Sequence, residues 1–233
     1  MLPVVILCGG LSTRLHSLTE SIPKSMIPLL GKPFIDWQLS LMQKNGVTDV
    51  ILCIGKFGYQ IRDYVGDGQK WGMNVKYSDD GTMLLGTGGA LLNAYPLLPE
   101  EFIVTNGDSY LDIDYNAVIS QFNADCKPML MTIYPVTFGY RNLCVRKGVI
   151  VRYDKTGKYP DLNYIDYGFT VMKRWVLNQI ISQTVFDFSV IYSDLIFQKN
   201  VSNYQSPKVF HEVGSYDGLD ETIRYITATQ GVI

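Results

Sequence analysis

Apolar positions along the chain follow two rhythms. Short continuous runs at residues 4–8, 49–54, 102–105 and 129–134 read as strands buried on both faces, the pattern of a sheet covered by helices. Between them the apolar residues fall back to helical spacing. Ile35, Leu39 and Met42 recur on one face behind Pro33, a residue accepted by the first turn of a helix, and Asn45-Gly46 supplies the stop. Residues 59–65 and 116–123 read as two further helices. Gly66, Gly68 and Gly72 mark a loop before a strand at 75–78, and Gly86-Thr87-Gly88-Gly89 opens a helix that runs through 90–94. This alternation predicts an α/β chain with a mixed, mostly parallel central sheet flanked by helices. From residue 142 the pattern changes. Residues 142–146 and 149–153 bracket Lys147-Gly148, a hairpin signal, and 165–171 is another strand, so a small antiparallel portion is expected. Helices near 188–197 and 218–228 close the chain. With no repeat, low-complexity tract or linker, one domain over residues 1–233 is the expectation.

Composition narrows the classes of function. A chain of 233 residues, 47% apolar and 18% charged, has the material for a full core. Its formal net charge of −2 lacks the basic excess of a nucleic-acid-binding surface, so no nucleic-acid partner is expected and a few placed cations must meet any phosphate. The 16 tyrosines and 10 phenylalanines are scattered, without the stacking motif of an RNA-binding sheet, although those of the C-terminal half offer a surface for a homodimer. Cys8, Cys53, Cys126 and Cys144 show no CxxC spacing, and the first two, set in apolar runs, read as small buried residues. The N-terminus has no basic region leading into a long apolar stretch, and no run reaches membrane-spanning length. A cytoplasmic protein with no membrane partner is expected.

Candidate chemistry begins where the first strand opens into Gly9-Gly10-Leu11-Ser12-Thr13-Arg14. Glycine lets the backbone approach a ligand closely, and successive N–H groups in such a turn form a nest for anions. Arg14 adds a fixed cation, and Lys24 in Pro23-Lys24 adds a second on the same rim. Neither the GK[ST] ending of a P-loop nor the dinucleotide GxGxxG is present. Asn106-Gly107-Asp108 follows the strand at 102–105, which puts Asp108 at the carboxyl end of a strand, where open α/β sheets bind ligands. Asp108 is the best single metal candidate, set against the ordinary role of an aspartate capping its own turn.

The run Gly9-Gly10-Leu11-Ser12-Thr13-Arg14-Leu15, then Pro23-Lys24-Ser25-Met26-Ile27-Pro28, then Gly31-Lys32-Pro33 resembles the N-terminal signature of sugar-phosphate nucleotidyltransferases, GGxGTRLxPLTxxxPKPMxPxxGKP. The resemblance continues through Gly86-Thr87-Gly88-Gly89-Ala90 and Asn106-Gly107-Asp108 to residues 210–218, so it covers nearly the whole chain in the family's order. It is specific for the family and much less so for the substrate. Two departures stand out: Ser12 replaces a usual glycine, and Ser25 replaces the second proline of PKP. Neither removes a cation.

The resemblance implies a Rossmann-like nucleotidyltransferase fold and Mg²⁺-dependent nucleotidyl transfer, in which a sugar 1-phosphate oxygen attacks the α-phosphorus of a nucleoside triphosphate and pyrophosphate leaves. The nucleophile is already anionic, so the demand is for cations and a metal that bring two anions together. By resemblance Arg14 grips the triphosphate and leaving pyrophosphate, Lys24 serves the α-phosphate and incoming phosphate, and Asp108 carries the metal. Glu212, in His211-Glu212-Val213-Gly214-Ser215, stands where the family has a second metal carboxylate, and His211 reads as a packing residue beside it. Leu7, Gly9, Gly10, Ser12, Thr13, Gly86, Asn106 and Gly107 form the expected nucleotide site, with Asp79 or Asp80 as acceptors for a guanine edge. Thr87, Gly88, Asp154, Lys155, Asp166 and Tyr167 form the expected acceptor site, with Lys155 on the acceptor's phosphate and Asp154, Asp166 and Tyr167 on its hydroxyls. For Asp154-Lys155 a polar turn into Gly157 is an equal reading.

The stretch Asn163-Tyr164-Ile165-Asp166-Tyr167-Gly168 resembles the branch of the family that handles heptose or mannose 1-phosphates. The sharpest expectation is a heptose 1-phosphate guanylyltransferase feeding surface-polysaccharide synthesis. A cytidylyl- or uridylyltransferase on another phosphorylated acceptor is the alternative within the class, and a non-catalytic module that senses nucleotide sugars is the alternative outside it. The appended acyltransferase repeats of some family members have no counterpart here, so one activity is expected.

Overall fold

The computed structural model describes residues 1–10, 15, 19–81, 83–180 and 184–231. In chain order the elements are β1 (Val4–Leu7), a 3₁₀ turn (Lys24–Met26), β2 (Pro28–Leu29), β3 (Lys32–Pro33), α1 (Phe34–Lys44), β4 (Asp49–Ile54), α2 (Gly58–Val65) and β5 (Asn74–Asp79). There follow α3 (Gly86–Asn93), β6 (Glu101–Asn106), β7 (Ser109–Tyr110), α4 (Tyr115–Asp125), β8 (Met129–Pro135), β9 (Leu143–Arg146) and β10 (Val149–Tyr153). The chain continues through β11 (Tyr164–Lys173), α5 (Ser189–Phe197), β12 (Val201–Gln205), β13 (His211–Glu212) and α6 (Tyr216–Gln230).

The order β5-β4-β1-β6 is parallel throughout, each strand presenting its carboxyl end at the same edge. β11 then runs antiparallel to β6 and to β8, and carries the β9–β10 hairpin where Tyr164 pairs with Leu143. This is the mixed, mostly parallel sheet with a small antiparallel portion that the periodicity predicts. Its two faces follow from the period of a strand. Val4 and Ile6 pack with Ile35, Leu39 and Met42 of α1 and Val118 and Phe122 of α4. Val5 points the other way, with Ala90 and Leu91 of α3 and Ile191 and Leu195 of α5. A third cluster joins Phe34 and Trp37 of α1 to Tyr110, Val213 and Ile226.

The periodicity missed some elements for physical reasons. Val201–Gln205 is mostly polar, yet it pairs parallel with β8, because backbone hydrogen bonds at a sheet edge ask little of side chains. The two-residue strands β7 and β13 are too short to show a period at all. The hairpin at Lys147-Gly148 forms as its residues suggest, with positive φ at both positions (50° and 75°). Inside β11 the register slips between Asp166, opposite Ile133, and Thr170, opposite Met131. This bulge at Gly168 breaks the longest strand beside the carboxyl end of β6, and bulges re-aim neighbouring side chains.

Candidate active site

At the carboxyl edge of the parallel strands, Leu7 of β1 and Asn106 of β6 sit directly opposite one another. The chain leaving Asn106 turns at Gly107, whose N–H donates to Leu7 O (3.0 Å). Only glycine fits there. A Cβ on Gly107 would stand 2.8 Å from Cys8 Sγ and 3.0 Å from Ser25 Oγ, so the turn carrying Asp108 is pressed against the end of β1 and the Lys24–Met26 turn. From beneath, the buried Gln38 of α1 donates through Nε2 to Asn106 O (2.8 Å) and Ser109 O (2.9 Å). This packing delivers Lys24 Nζ to Asp108 Oδ2 at 2.9 Å across 84 residues of sequence. Both side chains are partly exposed (18% and 24%), so the pair is formed but open to a ligand.

Two cavities meet at this edge. The larger, about 460 Å³, is lined by Leu7, Gly9, Gly10, Lys24, Asn106 and Asp108, and further by Gly86, Thr87, Gly107 and Asp80. The smaller, about 150 Å³, is lined by Tyr153, Asp166, Gly168, Phe188, Ser189 and Tyr192. Leu7, Thr87, Asn106, Lys155 and Asp187 belong to both walls. At the junction Lys155 Nζ pairs with Asp187. Burial pushes the Asp187 carboxyl up, but hydrogen bonds from Lys155 and Ser189 outweigh it and hold the group below its ordinary value. Among the described residues no cation pairs with Asp166 or Asp80 in this way. Burial pushes each of their carboxyls up to about 6, moderated by the Gly168 N–H for Asp166 and by Asn93 for Asp80.

Several residues singled out from the sequence lie elsewhere. Arg14, Ser12 and Thr13 fall outside the described residues. Gly88 faces residues 184–188 and lines neither cavity: a Cβ on it would collide with the Phe186 ring. Asp154 folds back on its own turn, its carboxylate accepting from Thr156 N–H and Oγ1 and from Lys158 N–H. Tyr167 is buried in the core, edge-on to Phe210, with its hydroxyl donating to Val209 O (3.3 Å). Glu212 pairs with Ser109 across β13 and β7, next to Asp108 in the chain, but its carboxylate accepts from Gly214 N–H and Ser215 Oγ at the start of α6. Of the two aspartates suited to a guanine edge, Asp80 lines the larger cavity, and Asp79 pairs outward with Arg62 at 3.3 Å. His211 stacks on Tyr225 with ring centroids 4.0 Å apart, a packing role.

Asp187, Tyr153, Ser189 and Tyr192 are cavity residues that sequence reasoning missed. Their signal was faint: Phe186-Asp187-Phe188 before a helix reads as an ordinary capping aspartate, and tyrosines abound. Gln38 is the more legible omission, a polar residue buried among Phe34, Ile35, Trp37, Leu39, Leu41 and Met42 of α1, where Asp36 is buried as well.

Among the described residues no group of three or more His, Cys, Asp or Glu forms a ready metal cage. The donor set still fits Mg²⁺, which keeps several waters and takes one or two carboxylates together with substrate phosphate oxygens. Asp108 is such a carboxylate on an open wall. A thiol role is unsupported at the site, since burial pushes Cys8 up to about 12 and keeps it protonated. Among the described residues no helix is long and apolar enough to cross a membrane.

A parallel sheet whose carboxyl edge presents a glycine turn, a lysine and an aspartate to a divided cavity defines a phosphate-handling α/β enzyme. The profile of the nucleotidyl transferase family matches residues 3–142. The D-glycero-alpha-D-manno-heptose 1-phosphate guanylyltransferase of Campylobacter jejuni is 32% identical over 184 residues, 79% of this chain and 81% of that one. The chain therefore belongs to the nucleotidyl transferase family, among its sugar-phosphate nucleotidyltransferases. The N-acetylmuramate alpha-1-phosphate uridylyltransferase of Neisseria meningitidis is 38% identical over 114 residues, and the match spans only 48% of this chain and 49% of that enzyme. The crystal structure of HddC from Yersinia pseudotuberculosis complexed with GMP-PN superposes with a TM-score of 0.78 at 25% identity, covering 97% of this chain and 100% of that one.

Proposed function

We propose that this chain transfers a guanylyl group from GTP to a heptose 1-phosphate, D-glycero-α-D-manno-heptose 1-phosphate being the leading acceptor, with release of pyrophosphate. The observation that carries the reading is the pair of cavities sharing Lys155 and Asn106, with the Lys24 and Asp108 pair on the wall of the larger. The similarity to the Campylobacter guanylyltransferase along most of both chains supports the choice of substrates. The larger cavity takes the nucleotide and the smaller the sugar, so the two phosphates meet at the junction.

In the reaction an oxygen of the sugar 1-phosphate forms a bond to the α-phosphorus as the bond to the pyrophosphate oxygen breaks. Lys24 neutralises charge on the reacting phosphates, with Arg14 on the leaving pyrophosphate, and Lys155 holds the phosphate of the acceptor. Electrostatic help of this kind counts most where charge builds up in the transition state. Asp108 would hold Mg²⁺, joined by Glu212 once its bonds to Gly214 and Ser215 are exchanged. Bound there, the ion supplies charge neutralisation to the triphosphate. Asp166 accepts from a sugar hydroxyl, and Asp80 accepts from the N1–H and amino group of guanine, which a uracil edge cannot match. The intact Lys24 and Asp108 pair favours a catalyst over a sensor.

The test is acceptor kinetics. Lys155→Ala is expected to raise KM for heptose 1-phosphate about tenfold, the loss of one charge-assisted contact, with a much smaller change for GTP. An unchanged acceptor KM would remove Lys155 from the phosphate.

A further inference from the structure

Residues 184–188 form a strap lying across the glycine motif. Gly88 N–H and Gly89 N–H both donate to Phe186 O (3.0 and 3.3 Å), Phe186 N–H donates to Leu85 O (3.0 Å), and Phe188 N–H donates to Thr87 Oγ1 (2.9 Å). Side chains at Gly86, Gly88 or Gly89 would collide with Phe186 or Thr184. The motif at the start of α3 is thus a seat for this strap. What the strap carries is Asp187, whose Oδ1 accepts from Ser189 N–H (3.0 Å) and whose other oxygen holds Lys155. A carboxylate held by Ser189 N–H on one oxygen lies with its other oxygen on the one lysine common to both cavities.

We propose that Asp187 is a specificity-determining residue: it occupies the Lys155 ammonium in place of the acceptor's phosphate, so that an anion lacking the sugar is held off. The proposal rests on the reading that Lys155 receives that phosphate. A bare phosphate must displace Asp187 from Lys155 unaided. A sugar phosphate brings hydroxyl contacts from Asp166 and the smaller cavity that offset the exchange. The same device keeps Lys155 from being drawn onto the triphosphate in the larger cavity, where a lone flexible lysine would otherwise find an anion first.

The probe is inorganic phosphate, titrated into ¹⁵N-labelled protein and followed at the amides of Phe188 and Ser189. Asn at position 187 keeps an oxygen for Ser189 N–H and loses the charge. Asp187→Asn is expected to tighten phosphate about 2- to 5-fold, equivalent to an exposed ion pair of up to about 1 kcal/mol. Asp187→Glu should restore weak binding, and Lys155→Ala should abolish the response with or without Asp187→Asn. Unchanged or weaker phosphate binding in Asp187→Asn, where Lys155→Ala does abolish it, overturns the proposal alone. A full response in Lys155→Ala removes the Lys155 assignment and the proposal with it.

Discussion

Lys24 and Asp108 hold each other at 2.9 Å on the wall of the larger cavity, and each is the group that the other's ligand would draw away. Asp108→Asn keeps the side-chain shape and an oxygen for Lys24 but loses the charge. It is expected to cut pyrophosphate release by at least about 10²-fold with an unchanged circular dichroism spectrum. A wild-type rate would strip Asp108 of its role. Asp166 gives a prediction in stability. Its carboxyl and that of Asp80, raised by burial from 3.8 to about 6, take up a proton in the folded chain before they do so in the unfolded one. Their contribution is therefore most favourable below pH about 4 and is lost as pH rises to about 6, with no further change above. Asp166→Asn should raise stability at pH 7 by about 1 kcal/mol, allowing for solvent in the cavity, and should do nothing at pH 4. Melting curves at the two pH values decide it, and an equal shift at both would contradict the account. Lys24 and Asp108 were legible because short motifs announce them. Asp187 was not, because its partner lies 32 residues away and its own neighbours are generic.

The element scale explains the glycines. The stretch from Gly86 to Gly89 reads from sequence as a place where backbone meets ligand, and Gly86 and Thr87 do line the larger cavity. Gly88 and Gly89 instead make room for the strap, a long-range contact that no local pattern reports. Gly88→Ala would force a methyl group into the Phe186 ring, so it should cost about 1–3 kcal/mol and raise the acceptor KM more than that of the nucleotide. Thermal melting and steady-state kinetics on one preparation check both halves, and a variant with wild-type melting and KM values would refute the packing argument. The regular strands and helices were legible because a buried face imposes a period. The bulge at Gly168 was hidden for the opposite reason: it is an exception to the period of β11, visible only once β6 and β8 are paired on either side.

At the scale of the whole molecule, the parallel half and the antiparallel part both supply walls to the cavities. The family profile ends at residue 142, after the Lys24–Met26 turn and the turn following β6, which bring Lys24 and Asp108 into one cavity. Tyr153, Lys155, Asp166, Asp187, Ser189 and Tyr192 of the smaller cavity all come later in the chain. The reaction class was therefore readable from the first half, whereas the lining of the smaller cavity depends on side chains that an antiparallel strand, a bulge and a strap bring together. With a net charge of only −2, the molecule has no overall positive charge to draw anions in, which leaves that work to the cations placed at the cavities. The most direct test of the central claim is pyrophosphate release from D-glycero-α-D-manno-heptose 1-phosphate with GTP, CTP, UTP and ATP in turn, each with Mg²⁺ and with chelator. Release with GTP in the presence of Mg²⁺, and little with the other three, is the result predicted. Binding of a nucleotide with no release from any of the four would contradict it.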